Sequence, residues 1–242
     1  MAVTRTTSGT TGFNLDLNNL IEEAFERCGS ELRTGYDLRT ARRSLNLLLI
    51  EWSNRGINMW TIDQGEILLD KGVITYDIPL DTVDLMDFVI RTGTGQNQND
   101  IDISRISVTS YSAIPNKNAQ GRPVQVWIDR KTGAVNPDPS GIQYPTINVW
   151  PAPNLDNYYT FVYWRLRRMQ DAGESGSITQ DVPYRFLPAM VAGLAFHLSM
   201  KIPEAMQRIP MLKAEYEQAF QLAADEDREK ASLRISPRIG YI

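Results

Sequence analysis

The sequence predicts an α+β fold. It consists of a four-helix bundle drawn from the N- and C-terminal helices, an inserted small antiparallel β-sandwich or barrel, and an extended C-terminal arm. Three patterns predict it. Apolar residues recur at helical spacing near both ends of the chain, alternate at period two from Trp60 to about Arg168, and interleave with arginine in residues 233–242. The implied division is 1–12 as a flexible N-terminus, 13–59 and 178–232 as the bundle, 60–177 as the β module, and 233–242 as the arm.

In the first helix Leu17, Leu20, Ile21, Ala24, Phe25 and Cys28 form one face, and Gly29 is the stop. Asp37 is the expected N-cap of the second helix. There Leu38, Ala41, Leu45, Leu48, Leu49 and Trp52 form the stripe, and Gly56 ends it. Arg39, Arg42 and Arg43 lie off that stripe. The β region opens with Glu66–Leu69 and Val73–Ile78 flanking Asp70-Lys71-Gly72, which reads as a hairpin. Val83–Arg91, Val124–Asp129, Thr146–Trp150 and Tyr158–Leu166 read as further strands. Gly-, Asn- and Pro-rich loops at 92–100, 115–123 and 131–145 separate them, with a short helix at 107–113.

Helix returns with Asp181 as cap, Pro183 in the first turn and Pro188 as a kink. Phe186, Leu187, Met190, Val191, Leu194, Ala195 and Leu198 go nearly all round this third helix, which implies burial on several sides. After Pro203, the fourth helix carries Ile209, Leu212, Tyr216, Ala219, Phe220 and Ala223 on one face, then a charged end at 225–230. Each stripe needs a partner, and the helices at the two chain ends are the long ones available.

The chain has 29 acidic and 25 basic residues, a net charge of -4. Duplex binding is driven by clustered cations displacing counterions from phosphate, so this is not a general DNA binder and any DNA contact should be slippery. The single cysteine, Cys28, excludes an internal disulfide and agrees with a reducing compartment. Residues 1–12 have no apolar core of the signal-peptide kind, and the apolar run at 186–200 is interrupted by Pro188, Gly193 and His197. A soluble protein without a membrane segment is expected.

Chemistry has few places to reside. The one histidine, His197, lies in the most apolar helix, and no G-x-S-x-G turn accompanies it, so a buried or interface histidine is expected. One Cys and one His cannot close a zinc site without carboxylates. Cys28 is on an apolar face. Thr92-Gly93-Thr94-Gly95 lacks the ending of a phosphate loop and reads as a mobile loop. Paired carboxylates could hydrolyse a glycoside, but with 29 acids their presence discriminates nothing. Asp77, Asp81, Asp84 and Asp87 suit turns, and Asp225-Glu226-Asp227 suits a solvated helix end. No catalytic residue, cofactor or metal is expected.

Surfaces carry the remaining signal. Arg165, Arg167 and Arg168 end a strand and suit carboxylates of a neighbouring subunit or a phosphate. Leu233, Arg234, Ile235, Arg238, Ile239 and Tyr241 are too apolar for a merely disordered tail. They read as an arm that orders on a partner, by strand addition or by filling pockets, in preference to packing back on its own bundle.

Several stretches resemble a known family. Leu45 to Trp60, containing Leu-Leu-Ile-Glu-Trp-Ser-Asn-Arg-Gly-Ile-Asn-Met-Trp, is similar to the second helix of podophage head-to-tail adaptors, also called tail tubular protein A or the packaged-DNA-stabilising accessory factor. Gly121-Arg122-Pro123, Val149-Trp150-Pro151-Ala152-Pro153 and Tyr163–Gly173 match too. Most specific is Asp181-Val182-Pro183-Tyr184-Arg185-Phe186-Leu187-Pro188-Ala189 leading into Gly193-Leu194-Ala195. The closing pattern, Lys-x-x-Tyr-x-x-Ala-Phe then Arg-Ile-x-Pro-Arg, runs from Lys213 to Arg238.

The resemblance implies a non-enzymatic structural virion protein in the neck, assembled in the host cytoplasm as a twelve-fold ring. It would sit beneath the portal protein and receive the tail nozzle and the tail fibres or spikes. Packaged double-stranded DNA would be held, and later ejected, through the lumen without specific binding. On this reading Leu233, Arg234, Ile235, Arg238, Ile239 and Tyr241 grip the portal. Arg39, Arg42, Arg43, Arg165, Arg167 and Arg168 meet neighbouring subunits, and the free chain is monomeric. Two other classes compete. A virion-associated peptidoglycan hydrolase would lose activity, not ring assembly, on single Asp or Glu substitutions. A host-directed binding module would bind cells through Trp60–Arg168.

Overall fold

The computed structural model describes residues 9, 12–13, 15–33, 35–56, 59–131, 143–174 and 177–228. In chain order the elements are α1 (Leu17–Cys28), α2 (Gly35–Asn54), β1 (Ile62–Leu69), β2 (Thr75–Asp77), β3 (Thr82–Thr92), β4 (Asn99–Asp102), β5 (Ser104–Arg105), α3 (Val108–Ser112), β6 (Gln120–Gly121), β7 (Gln125–Asp129), β8 (Thr146–Trp150), β9 (Ala152–Pro153), β10 (Tyr159–Arg167), α4 (Leu187–Ser199) and α5 (Ile209–Glu226). The α+β class is as expected. The chain divides into a helical unit, residues 1–60 with 169–242, and a β unit, residues 61–168. The second division falls earlier than the 177/178 boundary read from the pattern. Met169 packs on the helical core and the Ala172 N–H donates to Asn46 Oδ1 at 2.8 Å.

In the helical unit, α1, α2 and α5 each pack against α4. This follows from composition. A helix that is apolar all round has no face left for water, and ten residues of α4 are buried. Gly193 lets its neighbours close in, because a Cβ there would lie 2.9 Å from the Tyr216 ring and 3.0 Å from Leu48. The α1 stripe is buried as predicted. Asp16 caps the helix, its carboxylate accepting from the Asn19 N–H at 2.8 Å, and Gly29 ends it at φ 78°.

Local expectations for the other helix ends are corrected. Asp37 lies inside the first turn of α2, not at its cap, and its carboxylate accepts from the Arg33 N–H at 3.3 Å. An acid in the first turn still favours the positive end of the helix dipole. Asp181 is not at an N-cap position, which Pro183 and Phe186 hold instead; its carbonyl accepts from the Trp60 indole and its carboxylate from the Gln170 N–H. A 3-10 turn at Tyr184–Phe186 intervenes, so Pro188 falls in the first turn of α4. There its missing N–H costs no helical hydrogen bond and no kink is required. Asp227 is not a solvated helix end; its side chain is 1% exposed and ion-paired with Arg185.

The β unit holds two four-stranded sheets, ordered β1-β10-β3-β4 and β2-β8-β7-β5, and a small β6-β9 pair. β10 is central to the first sheet, pairing antiparallel with β1 from Ile62↔Leu166 to Leu69↔Tyr159 and with β3 on its other side. Leu69, Phe88, Ile90, Phe161 and Tyr163 of the first sheet share one core with Val126, Ile128, Ile147 and Val149 of the second. β5–β7 and β6–β9 are parallel, so the module is not purely antiparallel.

The expected hairpin is overturned: β1 pairs with β10 and β2 with β8. Asp70-Lys71-Gly72 instead carries the chain from one sheet to the other. The Tyr76 hydroxyl satisfies this turn, accepting from the Asp70 N–H at 2.9 Å and standing 3.1 Å from the Asp70 carbonyl. The polar run 92–100, expected as loop, leads into β4. Thr92 ends β3, and a 3-10 turn at Gly95–Asn97 follows, with Asn97 N donating to Thr94 O. Residues 132–142 of the third loop lie outside the described residues.

Candidate functional site

Several polar residues of α2, α4 and α5 hold one another. Glu51 on α2 lies 3.3 Å from His197 Nε2 on α4, accepts from Arg55 Nη2 at 2.6 Å, and accepts from the Tyr216 hydroxyl of α5 at 3.1 Å. Tyr216 in turn accepts from Trp52 Nε1 at 2.9 Å. Arg55 also pairs with Glu217 at 3.1 Å, and its guanidinium sits 4.4 Å from the centre of the Phe220 ring. Burial pushes the Tyr216 phenol well above its ordinary range, and the Arg55 hydrogen bond holds Glu217 below the usual carboxylate range. Here the one histidine joins helices.

Cys28 is buried and donates to the Ala195 carbonyl at 3.1 Å. Burial pushes its thiol up to about 11, against the opposing charge of Arg208, so it is protonated and unreactive near neutrality. Among the described residues, no group of three His, Cys, Asp or Glu side chains could hold a metal. No described helix is long and apolar enough to cross a membrane.

The arginines singled out in the sequence fall into two sets. On α2, Arg39 and Arg43 are exposed, while Arg42 is half-buried with its Nε unbonded. In the β unit, Arg165 is 13% exposed and bridges Asp63, at 3.2 Å, and Asp81, at 2.5 Å. Arg167 reaches Asp63 at 3.4 Å, and Arg168 is exposed, its backbone N–H donating to Asp81 O. Carboxylates of their own chain thus engage Arg165 and Arg167. Leu233, Arg234, Ile235, Arg238, Ile239 and Tyr241 lie outside the described residues.

Open grooves mark the helical unit, two of which concern the residues discussed above. The larger, about 880 Å³, runs between α1 and the start of α4. Phe13 and Tyr184, with ring centres 5.8 Å apart and both more than 60% exposed, wall one part of it. Leu15, Leu187 and Val191 add apolar surface, and Glu22 and Glu26 lie along α1. The smaller, about 440 Å³, is bounded by Tyr36, Arg43, Leu47 and Lys201. Leu47 and Ile50, one turn apart, leave an exposed apolar patch on α2, while Met211 and Leu222 are exposed singly on α5. Sequence reasoning missed the grooves; its available signal was Phe13 and Tyr184, aromatic residues outside any helical stripe.

No curated protein matches the chain. A family model described as SU10 adaptor protein matches residues 16–238, from the N-cap of α1 through nearly all that follows. That span includes both units, and it agrees with the resemblance to phage head-to-tail adaptors carried by the motifs around Trp52 and Pro183. The chain belongs to the SU10 adaptor protein family, a family of phage adaptors.

Proposed function

We propose that this protein is a non-enzymatic structural subunit of the virion neck. It is assembled in the host cytoplasm into a twelve-fold ring that joins the portal protein to the tail nozzle and its fibres or spikes. The observation that carries the reading is the family match over residues 16–238. The helical unit supports it: Glu51, Trp52, His197 and Tyr216 are engaged in joining α2, α4 and α5, while Leu47 and Ile50 on α2 remain exposed for neighbours. Head-to-tail contact between two different faces of one subunit is what closes a ring. Arg39, Arg42, Arg43, Arg165, Arg167 and Arg168 are the arginines of the proposed subunit interface, and of these Arg39, Arg43 and Arg168 are exposed.

A net charge of -4 suits a lumen through which DNA is retained and then ejected without adhering. Residues 233–242 grip the portal through Leu233, Ile235, Ile239 and Tyr241, with Arg234 and Arg238 meeting acidic groups. The test is electron microscopy of purified portal mixed with the full chain or with a chain lacking residues 234–242. The full chain should add a ring of twelve copies to the portal, and the shortened chain should not. Portal left bare by the full chain refutes the adaptor reading; unchanged attachment of the shortened chain refutes the grip.

A further inference from the structure

We infer that in the free subunit the groove between α1 and the start of α4 is filled by residues 233–241 of the same chain. This goes beyond the adaptor reading and stands without it, since it concerns the subunit alone. Four observations carry it. The groove joins apolar surface, from Phe13, Leu187 and Val191, to a row of acids on α1. Glu23 is satisfied by Arg27 at 2.9 Å, whereas Glu22 and Glu26, both exposed, have no cation within ion-pair distance among the described residues. The segment that follows Arg228 has the complementary make-up: Leu233, Ile235, Ile239 and Tyr241 interleaved with Arg234 and Arg238.

The fourth observation is where that segment starts. Asp227, just beyond the end of α5, is ion-paired with Arg185, and Arg185 lines the groove. The chain therefore sets out from the groove's own wall. Residues 229–242 span up to about 45 Å when extended, ample to run along a twelve-residue helix about 18 Å long. The other chain end fits poorly: residues 1–11 are mostly Thr, Ser and Gly, with Arg5 as the one charged side chain. Tethering sets an effective concentration on the order of millimolar, enough to hold a contact too weak to persist between separate molecules.

The test uses a labelled peptide of residues 231–242 titrated against full-length chains. One is the unaltered protein. Another carries Leu233→Ser, Arg234→Glu, Ile235→Ser, Arg238→Glu and Ile239→Ser, changes outside the folded core. With a peptide affinity on the order of 100 µM against millimolar tethering, the substituted chain should bind the peptide about tenfold more tightly than the unaltered one. Adding Glu22→Lys and Glu26→Lys to it should undo that gain and flatten the salt dependence. Equal affinity of the first two chains, or no binding by either, overturns occupancy by the chain's own arm. Binding indifferent to the charge reversals overturns the groove as the site. A dimer in sedimentation that vanishes on substituting the arm assigns the segment to a second copy instead, and also overturns the inference.

Discussion

Tyr216→Phe removes a single oxygen from the centre of the helical unit, and its effect can be worked out from the contacts. The Tyr216 hydroxyl accepts from the Trp52 indole at 2.9 Å and donates to Glu51 at 3.1 Å. Trp52 is fully buried, so phenylalanine at 216 leaves its N–H without water and without an acceptor. A buried donor left unsatisfied costs about 1–3 kcal/mol. Glu51 keeps Arg55 at 2.6 Å, so its loss of a second donor adds little. The ring still packs against Phe196 and Phe220, and no cavity of methyl size opens. The expected cost is about 2 kcal/mol, a fall of roughly 4–8 °C in melting temperature for a chain this long. Urea denaturation followed by far-ultraviolet circular dichroism reads it, because the helices dominate that signal. Trp52→Phe removes the orphaned donor, so a double-mutant cycle should return a coupling of about 1 kcal/mol or more. A Tyr216→Phe protein within about 0.5 kcal/mol of the unaltered chain, or strict additivity with Trp52→Phe, would refute the argument.

Arg185→Ala leaves the Asp227 carboxylate buried at 1% exposure without its cation, and should destabilise the helical unit by about 3 kcal/mol in the same denaturation experiment. Arg185→Met combined with Asp227→Leu should recover most of that loss, since neither charge is then stranded; a double variant as unstable as the single one refutes this. Cys28 predicts a pH dependence of definite sign. Its thiol is pushed up to about 11 by burial, so the unfolded chain ionises first. Stability from this group is complete below about pH 9 and is lost as pH rises toward 11. Cys28→Ala should remove that component from a stability–pH series, and a parallel series for the two proteins would refute it.

The helices were legible in the sequence because burial imposes a period on them. Leu17 to Cys28 and Leu38 to Trp52 repeat at helical spacing, and α4 shows apolar residues all round because three helices cover it. Strands β7, β8 and β10 were legible from their β-branched and aromatic content, within a residue of their ends, and in β7 burial alternates at period two. What failed is instructive. β4 reads Asn-Asp-Ile-Asp, with Ile101 its one apolar residue, because an outer strand can satisfy its backbone on one side and still face water. Asp70-Lys71-Gly72 looks like a hairpin turn because the residues that turn a chain are the same whether it returns to its neighbour or crosses to another sheet.

The candidate surfaces were legible only in part. The arginines were visible as charges, yet nothing local said that Asp63 and Asp81, far away in the chain, would claim Arg165. By itself the sequence determined the composition class, the order of the long helices and of the main strands, and the motifs that place the chain among phage adaptors. Those properties depend on neighbours along the chain. Tertiary structure alone decided which sheet each strand joined, that Asp227 is buried beside Arg185, and that α1 and α4 enclose a groove with an apolar floor and an acidic wall. Such features join residues distant along the chain, 42 positions in the case of Arg185 and Asp227, and a pairing between distant residues leaves no period in one sequence.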